Sequence, residues 1–108
     1  VIIAGDHFSM DREYFSRNVE DDYVRHGYNC FINSAVTASR TKNRQFSALD
    51  MFPTTLAAMG CTIEGEYLGL GVNLFSSQPT LMERMGYSRF NTELAKRSEF
   101  YDQFYSAQ

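Results

Sequence analysis

Asp6 and His7 stand side by side just after an apolar tetrapeptide and a glycine, Val1-Ile2-Ile3-Ala4-Gly5. A carboxylate beside an imidazole is a donor pair that suits Zn²⁺, Mn²⁺ or Fe. Successive side chains on a straight strand point to opposite faces, so both reach one site only where the chain turns. Gly5 is placed to permit that turn. The dipeptide by itself reads more readily as a loop ion pair or a cap than as a metal site. His26 lies between Arg25 and Gly27 without a carboxylate or cysteine at ligand spacing, and reads as a surface or hydrogen-bonding residue. Asp50 reads as a helix cap; Thr54 and Thr55 fall inside the same helix and read as structural or surface residues. The run Gly65-Glu66-Tyr67-Leu68-Gly69-Leu70-Gly71 lacks the Gly-Lys-Ser/Thr ending of a phosphate loop.

The elements that must position these residues follow from pattern. Val1–Ala4 is continuously apolar, which predicts a strand covered on both faces, with Asp6 and His7 past its C-terminal end. Functional groups of open α/β sheets gather at such ends. Residues 9–22 read as loop with a short helix at most, and residues 28–36, rich in β-formers, as a second strand. Leu49, Phe52, Leu56 and Met59 recur at helical steps and predict one buried face. Asp50 is the expected N-cap, Pro53 sits in the first turn and Gly60 ends the helix in a left-handed conformation. Residues 64–71 read as irregular loop and 72–75 as an edge segment. Ser77 is the expected cap of a short helix that starts near Pro79 and stops at Gly86. A last helix is expected over residues 89–105, with Phe90, Leu94, Tyr101 and Phe104 facing the core.

Composition bounds the rest. With 108 residues there is room for one modest core, and 44% hydrophobic with 15% aromatic residues is enough to fill it. A net charge of −3 argues against a nucleic-acid binder. Arg40-Thr41-Lys42-Asn43-Arg44 is the most basic stretch and reads as a solvated loop. Cys30 and Cys61 are too far apart in sequence for a zinc ribbon and lie beside apolar residues, as buried free thiols often do; a disulfide between them is the open alternative. No apolar run approaches the roughly 20 residues of a membrane span. The order of elements suits one edge of a larger α/β protein, so all of residues 1–108 are expected to form a single partial domain, and an apolar surface left uncovered is expected to favour self-association.

Several segments together resemble one family. Val1-Ile2-Ile3-Ala4-Gly5-Asp6-His7 is similar to the strand and Asp-His metal motif of the alkaline phosphatase/sulfatase superfamily. Ser47-Ala48-Leu49-Asp50-Met51-Phe52-Pro53-Thr54-Thr55-Leu56, closing at Gly60, resembles a helix found further along in those proteins. Tyr67-Leu68-Gly69-Leu70-Gly71 with Asn73-Leu74-Phe75-Ser76, and Glu93-Leu94-Ala95-Lys96-Arg97-Ser98-Glu99-Phe100-Tyr101, resemble segments of the phosphoglycerol transferases. That group includes the transferase decorating periplasmic glucans and, more distantly, lipoteichoic acid synthase. The resemblance implies an α/β fold, here its C-terminal portion with few short strands and about three helices. It implies a divalent metal, Mn²⁺ or Zn²⁺, held in part by Asp6 and His7. It also implies a membrane-associated parent at the extracytoplasmic face of a bacterial envelope, which moves glycerol phosphate from phosphatidylglycerol to a glycan or polymer acceptor. In the family the nucleophilic Thr and the other ligands precede the Asp-His motif, so the isolated chain is expected to be inactive. A hydrolase of the same superfamily and a non-catalytic binding module are the alternatives.

Overall fold

A computed structural model describes residues 1–105. They form a small domain that mixes helices with two separate two-stranded antiparallel sheets. Strand β1 (Ile2–Ala4) pairs with β2 (Asn29–Phe31) in the register Ile2↔Phe31, Ile3↔Cys30, Ala4↔Asn29. Bonds from Gly5 N–H to the Tyr28 carbonyl and from Ile32 N–H to the Val1 carbonyl, both 2.8 Å, extend the ribbon at each end. Between the two strands runs helix α1 (Arg12–Asn18), capped by Asp11, whose Oδ1 accepts from Tyr14 N–H at 2.9 Å.

Two features of this ribbon correct the sequence reading. The second strand is three residues long, far short of the span 28–36. The first is exposed along its length, because among the described residues β2 is its only neighbour and no second layer covers it. Continuous apolarity signals a strand that wants two-sided cover; within the described residues that cover is absent.

The packed part of the molecule lies around helix α2 (Met51–Ala58) and the hairpin β3 (Tyr67–Leu68) and β4 (Gly71–Val72). The hairpin is closed by Gly69 and Leu70. Gly69 adopts φ 61°, at the first central position of a two-residue turn, where glycine alone is unstrained. The expected irregular loop is thus largely a hairpin. A 3-10 turn (Ala48–Asp50), capped by Ser47, leads into α2; Asp50 stands at the N-cap position of α2 as expected, but its side chain makes no cap bond to that helix. Ser47 and Asp50 form a reciprocal capping box: Ser47 N–H donates to Asp50 Oδ2 at 2.9 Å, and Leu49 N–H donates to Ser47 Oγ. Gly60 ends the helix at φ 90°, as expected.

The buried face of α2 is Pro53, Thr54 and Ala57. Of the expected apolar face, Leu49, Phe52 and Met59 are exposed and Leu56 is half-buried. The hairpin approaches the helix so closely that only small side chains fit. A Cβ on Gly71 would lie 2.0 Å from the Leu49 carbonyl oxygen. Close approach therefore selects Thr and Ala for the interface and turns the large residues outward.

Beyond the hairpin, α3 (Leu81–Met85) is capped by Thr80, not Ser77, in a second capping box with Glu83. Helix α4 (Tyr87–Leu94) follows after Gly86 and buries Phe90. The expected long last helix is broken. Residues 95–98 leave the helix, and Ser98 caps a separate short α5 (Glu99–Asp102), its Oγ accepting from Tyr101 N–H. Leu94, Tyr101 and Phe104 are exposed rather than core. Among the described residues no helix is long and apolar enough to cross a membrane. The accessible surface is 8773 Å², against about 6,100 Å² for a compact monomer of this mass. The radius of gyration is 16.7 Å, against about 13 Å.

Candidate metal centre and adjoining cleft

Asp6 and His7 follow β1 directly, where Gly5 lets the chain leave the strand. His7 Nδ1 lies 2.7 Å from the Phe8 carbonyl oxygen. A carbonyl can only accept, so the ring proton belongs on Nδ1, and the lone pair of a neutral ring sits on Nε2. That Nε2 faces Asp6 Oδ1 at 3.5 Å. Two acceptors facing one another are stabilised by a cation shared between them, either a proton or a metal ion. Two ligands bound to one tetrahedral ion at about 2.0–2.2 Å stand roughly 3.3–3.6 Å apart, a range that includes the observed separation and also that of an ordinary ion pair. Both side chains are open to solvent, Asp6 at 90% and His7 at 59%. Among the described residues no group of three or more His, Cys, Asp or Glu gathers to complete a metal site.

Beside His7 lies a cleft of about 700 Å³. His7 lines it, as does His26, which is exposed as expected but faces the same space. Arg25 shapes its wall. The guanidinium stacks over Phe15 at 4.2 Å and lies 5.1 Å from the Phe8 ring, and it donates to the Ser9 carbonyl. This places the segment after His7 against α1. Tyr28 closes one side, and hydrogen bonding to the Cys30 thiol pushes its phenol above the ordinary value of 10.0, so it stays a neutral hydroxyl. Neither Arg25 nor the aromatics carried a recognisable motif; the signal was compositional, four aromatic residues among positions 8–23.

The other sequence candidates are structural. Asp50, 2% exposed, bridges helix and hairpin: its Oδ1 accepts from Val72 N–H at 2.9 Å while Oδ2 holds Ser47. Thr54 is buried, donates to the Asp50 carbonyl at 2.6 Å and accepts from Leu74 N–H at 2.9 Å. Thr55 donates to the Met51 carbonyl at 2.7 Å. Cys61 is exposed and Cys30 half-buried, and both are free thiols, so Cys61 is not the buried residue expected.

The basic stretch divides in two. Arg40 is half exposed, but Arg44 is not a solvated loop residue: its side chain is 6% exposed. It donates to the carbonyls of Leu74 (3.1 Å), Ser76 (2.8 Å) and Gln78, and pairs with Glu83 at 3.0 Å. Burial alone would push the Glu83 carboxyl up. Hydrogen bonds from Arg44 and Thr80 N–H, with the charges of Arg44 and Arg40, outweigh that and hold it below the ordinary 4.5. Arg44 is thus an internal anchor, unavailable to a phosphate ligand. No family model, curated protein or solved structure matches the chain.

Proposed function

We propose that the chain is the C-terminal part of a metal-dependent phosphoglycerol transferase with an alkaline phosphatase-like fold, and that Asp6 and His7 are two ligands of its divalent ion, Mn²⁺ or Zn²⁺. The observation that carries the reading is the 3.5 Å approach of Asp6 Oδ1 to His7 Nε2, with His7 Nδ1 engaged by a carbonyl. Orientation of a ligating imidazole through its second nitrogen is the usual companion of metal binding. The ordered motifs after it support the family. A bound divalent ion lowers the pKa of a coordinated nucleophile and offsets charge on phosphoryl oxygens. On this reading the nucleophile and remaining ligands lie outside these 108 residues, the donor is phosphatidylglycerol, the acceptor is a glycan or polymer, and the work is done at the extracytoplasmic face of a bacterial membrane.

The test is made in the full-length enzyme. Asp6→Ala and His7→Ala should each lower both metal content and transfer of glycerol phosphate from phosphatidylglycerol. The expected loss of metal affinity exceeds the roughly 10–100-fold typical of outer-shell partners. Full transfer in both variants would sink the ligand assignment. Release of glycerol phosphate to water, with none passed to an acceptor, would favour a hydrolase.

A further inference from the structure

A second pocket, of about 250 Å³, lies at the seam between strand β2 and the stretch that leaves the β3–β4 hairpin. It shares no lining residue with the cleft beside His7. Its apolar lining is half-buried: Phe31, Phe46, Leu74 and Phe75, with the Phe31 and Phe75 rings edge to face at 5.5 Å. Hydrogen bonds to the backbone hold its walls. Ser39 N–H donates to the Phe75 carbonyl at 2.9 Å, and Arg44 grips the carbonyls of Leu74 and Ser76. These ties keep the pocket's shape without a ligand.

The polar lining holds Asn29, Arg40, Thr41 and Asn43, and no carboxylate among the described residues. Arg40 is half exposed. Its Nη1 stands 3.6 Å from Glu83 Oε1, outside hydrogen-bond reach, and its guanidinium forms no hydrogen bond to a described residue. Glu83 is meanwhile held by Arg44 at 3.0 Å and by Thr80 N–H at 2.9 Å. Two guanidinium groups thus share one carboxylate, which leaves one positive charge over. The uncommitted group borders an apolar hollow, and its planar fork suits bidentate pairing with a carboxylate. The side-chain amides of Asn29 and Asn43 and the Thr41 hydroxyl also form no hydrogen bond to a described residue, so they remain available as donors in the same pocket. A single excess charge matches a monoanion. The apolar lining matches a short hydrocarbon or a single ring, because the volume lies below the roughly 300–1,000 Å³ of drug-sized sites. We infer that this pocket binds a small monocarboxylate with an apolar body, its carboxylate on Arg40 and its hydrocarbon against Phe31, Phe46 and Leu74. The inference is independent of the metal site proposed above.

The experiment is a titration of the 108-residue chain with phenylacetate, followed by NMR, beside phenylacetamide, acetate and phenyl phosphate as separate probes. Phenylacetate should shift the ring resonances of Phe31, Phe46 and Phe75. The amide keeps the ring and loses the charge, and should bind about tenfold more weakly, as when a charge-assisted hydrogen bond is lost. Acetate keeps the charge and loses the ring, and should leave those resonances in place at the same concentration. Arg40→Met keeps most of the stem and loses the guanidinium. It should weaken phenylacetate to the level of the amide while leaving the amide's own affinity unchanged. The comparison of acid with amide is made in the unaltered chain and so does not depend on the variant folding. No shift with phenylacetate at millimolar concentration overturns the inference. So do equal affinities for acid and amide, ring shifts with acetate equal to those with phenylacetate, or undiminished phenylacetate binding in Arg40→Met. A stronger response to phenyl phosphate than to phenylacetate also overturns it, in favour of a phosphate site.

Discussion

At the scale of single residues, the molecule depends on a few buried polar side chains. Arg44 gathers the carbonyls of Leu74, Ser76 and Gln78 and shares the Glu83 carboxylate with Thr80 N–H and Arg40. Arg44→Ala should cost about 3–5 kcal/mol, because it strips three carbonyls of their donor and leaves Glu83 with only the more distant Arg40, at 3.6 Å, as a cation. Arg44→Lys should recover little of that, since one ammonium cannot span the same fork. Urea midpoints of the two variants check both. Glu83 adds a pH dependence whose sign is fixed. Its folded pKa lies below 4.5, so its contribution is complete above the unfolded value and disappears as pH falls through the folded one. Stability should therefore drop in that acid window, and Glu83→Gln should flatten the drop. Thr54 joins the same set from the helix side. Thr54→Val keeps the shape but orphans Leu74 N–H, and should cost about 1–3 kcal/mol in the same denaturation assay.

At the scale of elements, the contact between α2 and the β3–β4 hairpin is governed by how near two backbones can come. The missing side chain at Gly71 is what permits it. Gly71→Ala should destabilise the chain by at least about 1–3 kcal/mol, as overpacked sites do, because backbone atoms of Leu49 cannot swing aside. Gly27→Ala is the matched control: nothing lies within 4 Å of its added methyl and its φ is unstrained, so its midpoint should not move. The break between α4 and α5 is an element-scale event too. Ser98 offers its own oxygen to the next turn, and Arg97 bonds Asp102 across the gap. Local side-chain bonds of this kind compete with helix continuation.

At the scale of the whole molecule, surface is the dominant fact. An accessible area of 8773 Å² is about 2,600 Å² more than the scaling for a compact monomer. Val1, Ile2, Ile3, Phe100, Tyr101 and Phe104 all contribute to it. Among the described residues strand β1 also keeps one edge unpaired, and such edges invite a further strand. The expected outcome is association: sedimentation velocity should show a weight-average mass that rises with concentration, and Ile3→Lys, on the exposed strand, should reduce it. A monomer at every concentration would argue that the surface is tolerated rather than used.

Some of this could be read directly from the chain. The first strand, the α2 segment, the stop at Gly60 and the place of Asp6 and His7 after a strand are set by neighbours a few residues away, and local sequence carries them. Both capping boxes were equally local: Ser47 to Asp50 and Thr80 to Glu83 each have the required spacing, although Asp50 and Ser77 were the more obvious caps. The identity of the buried faces was not legible. Periodicity defines a stripe on a helix but not the width of the gap it must enter, and here Gly71 makes that gap too narrow for Phe52 and Leu49. Arg44 illustrates the same limit for charge. Its partners, Leu74 to Glu83, lie 30 to 39 residues away, so five residues of basic sequence looked solvated until folding brought carbonyls around one of them. The Asp6–His7 pair divides likewise: the sequence supplied the two donors, while the 3.5 Å approach and the aromatic cleft beside them came from the tertiary path of residues 8–28, which only chain packing decides.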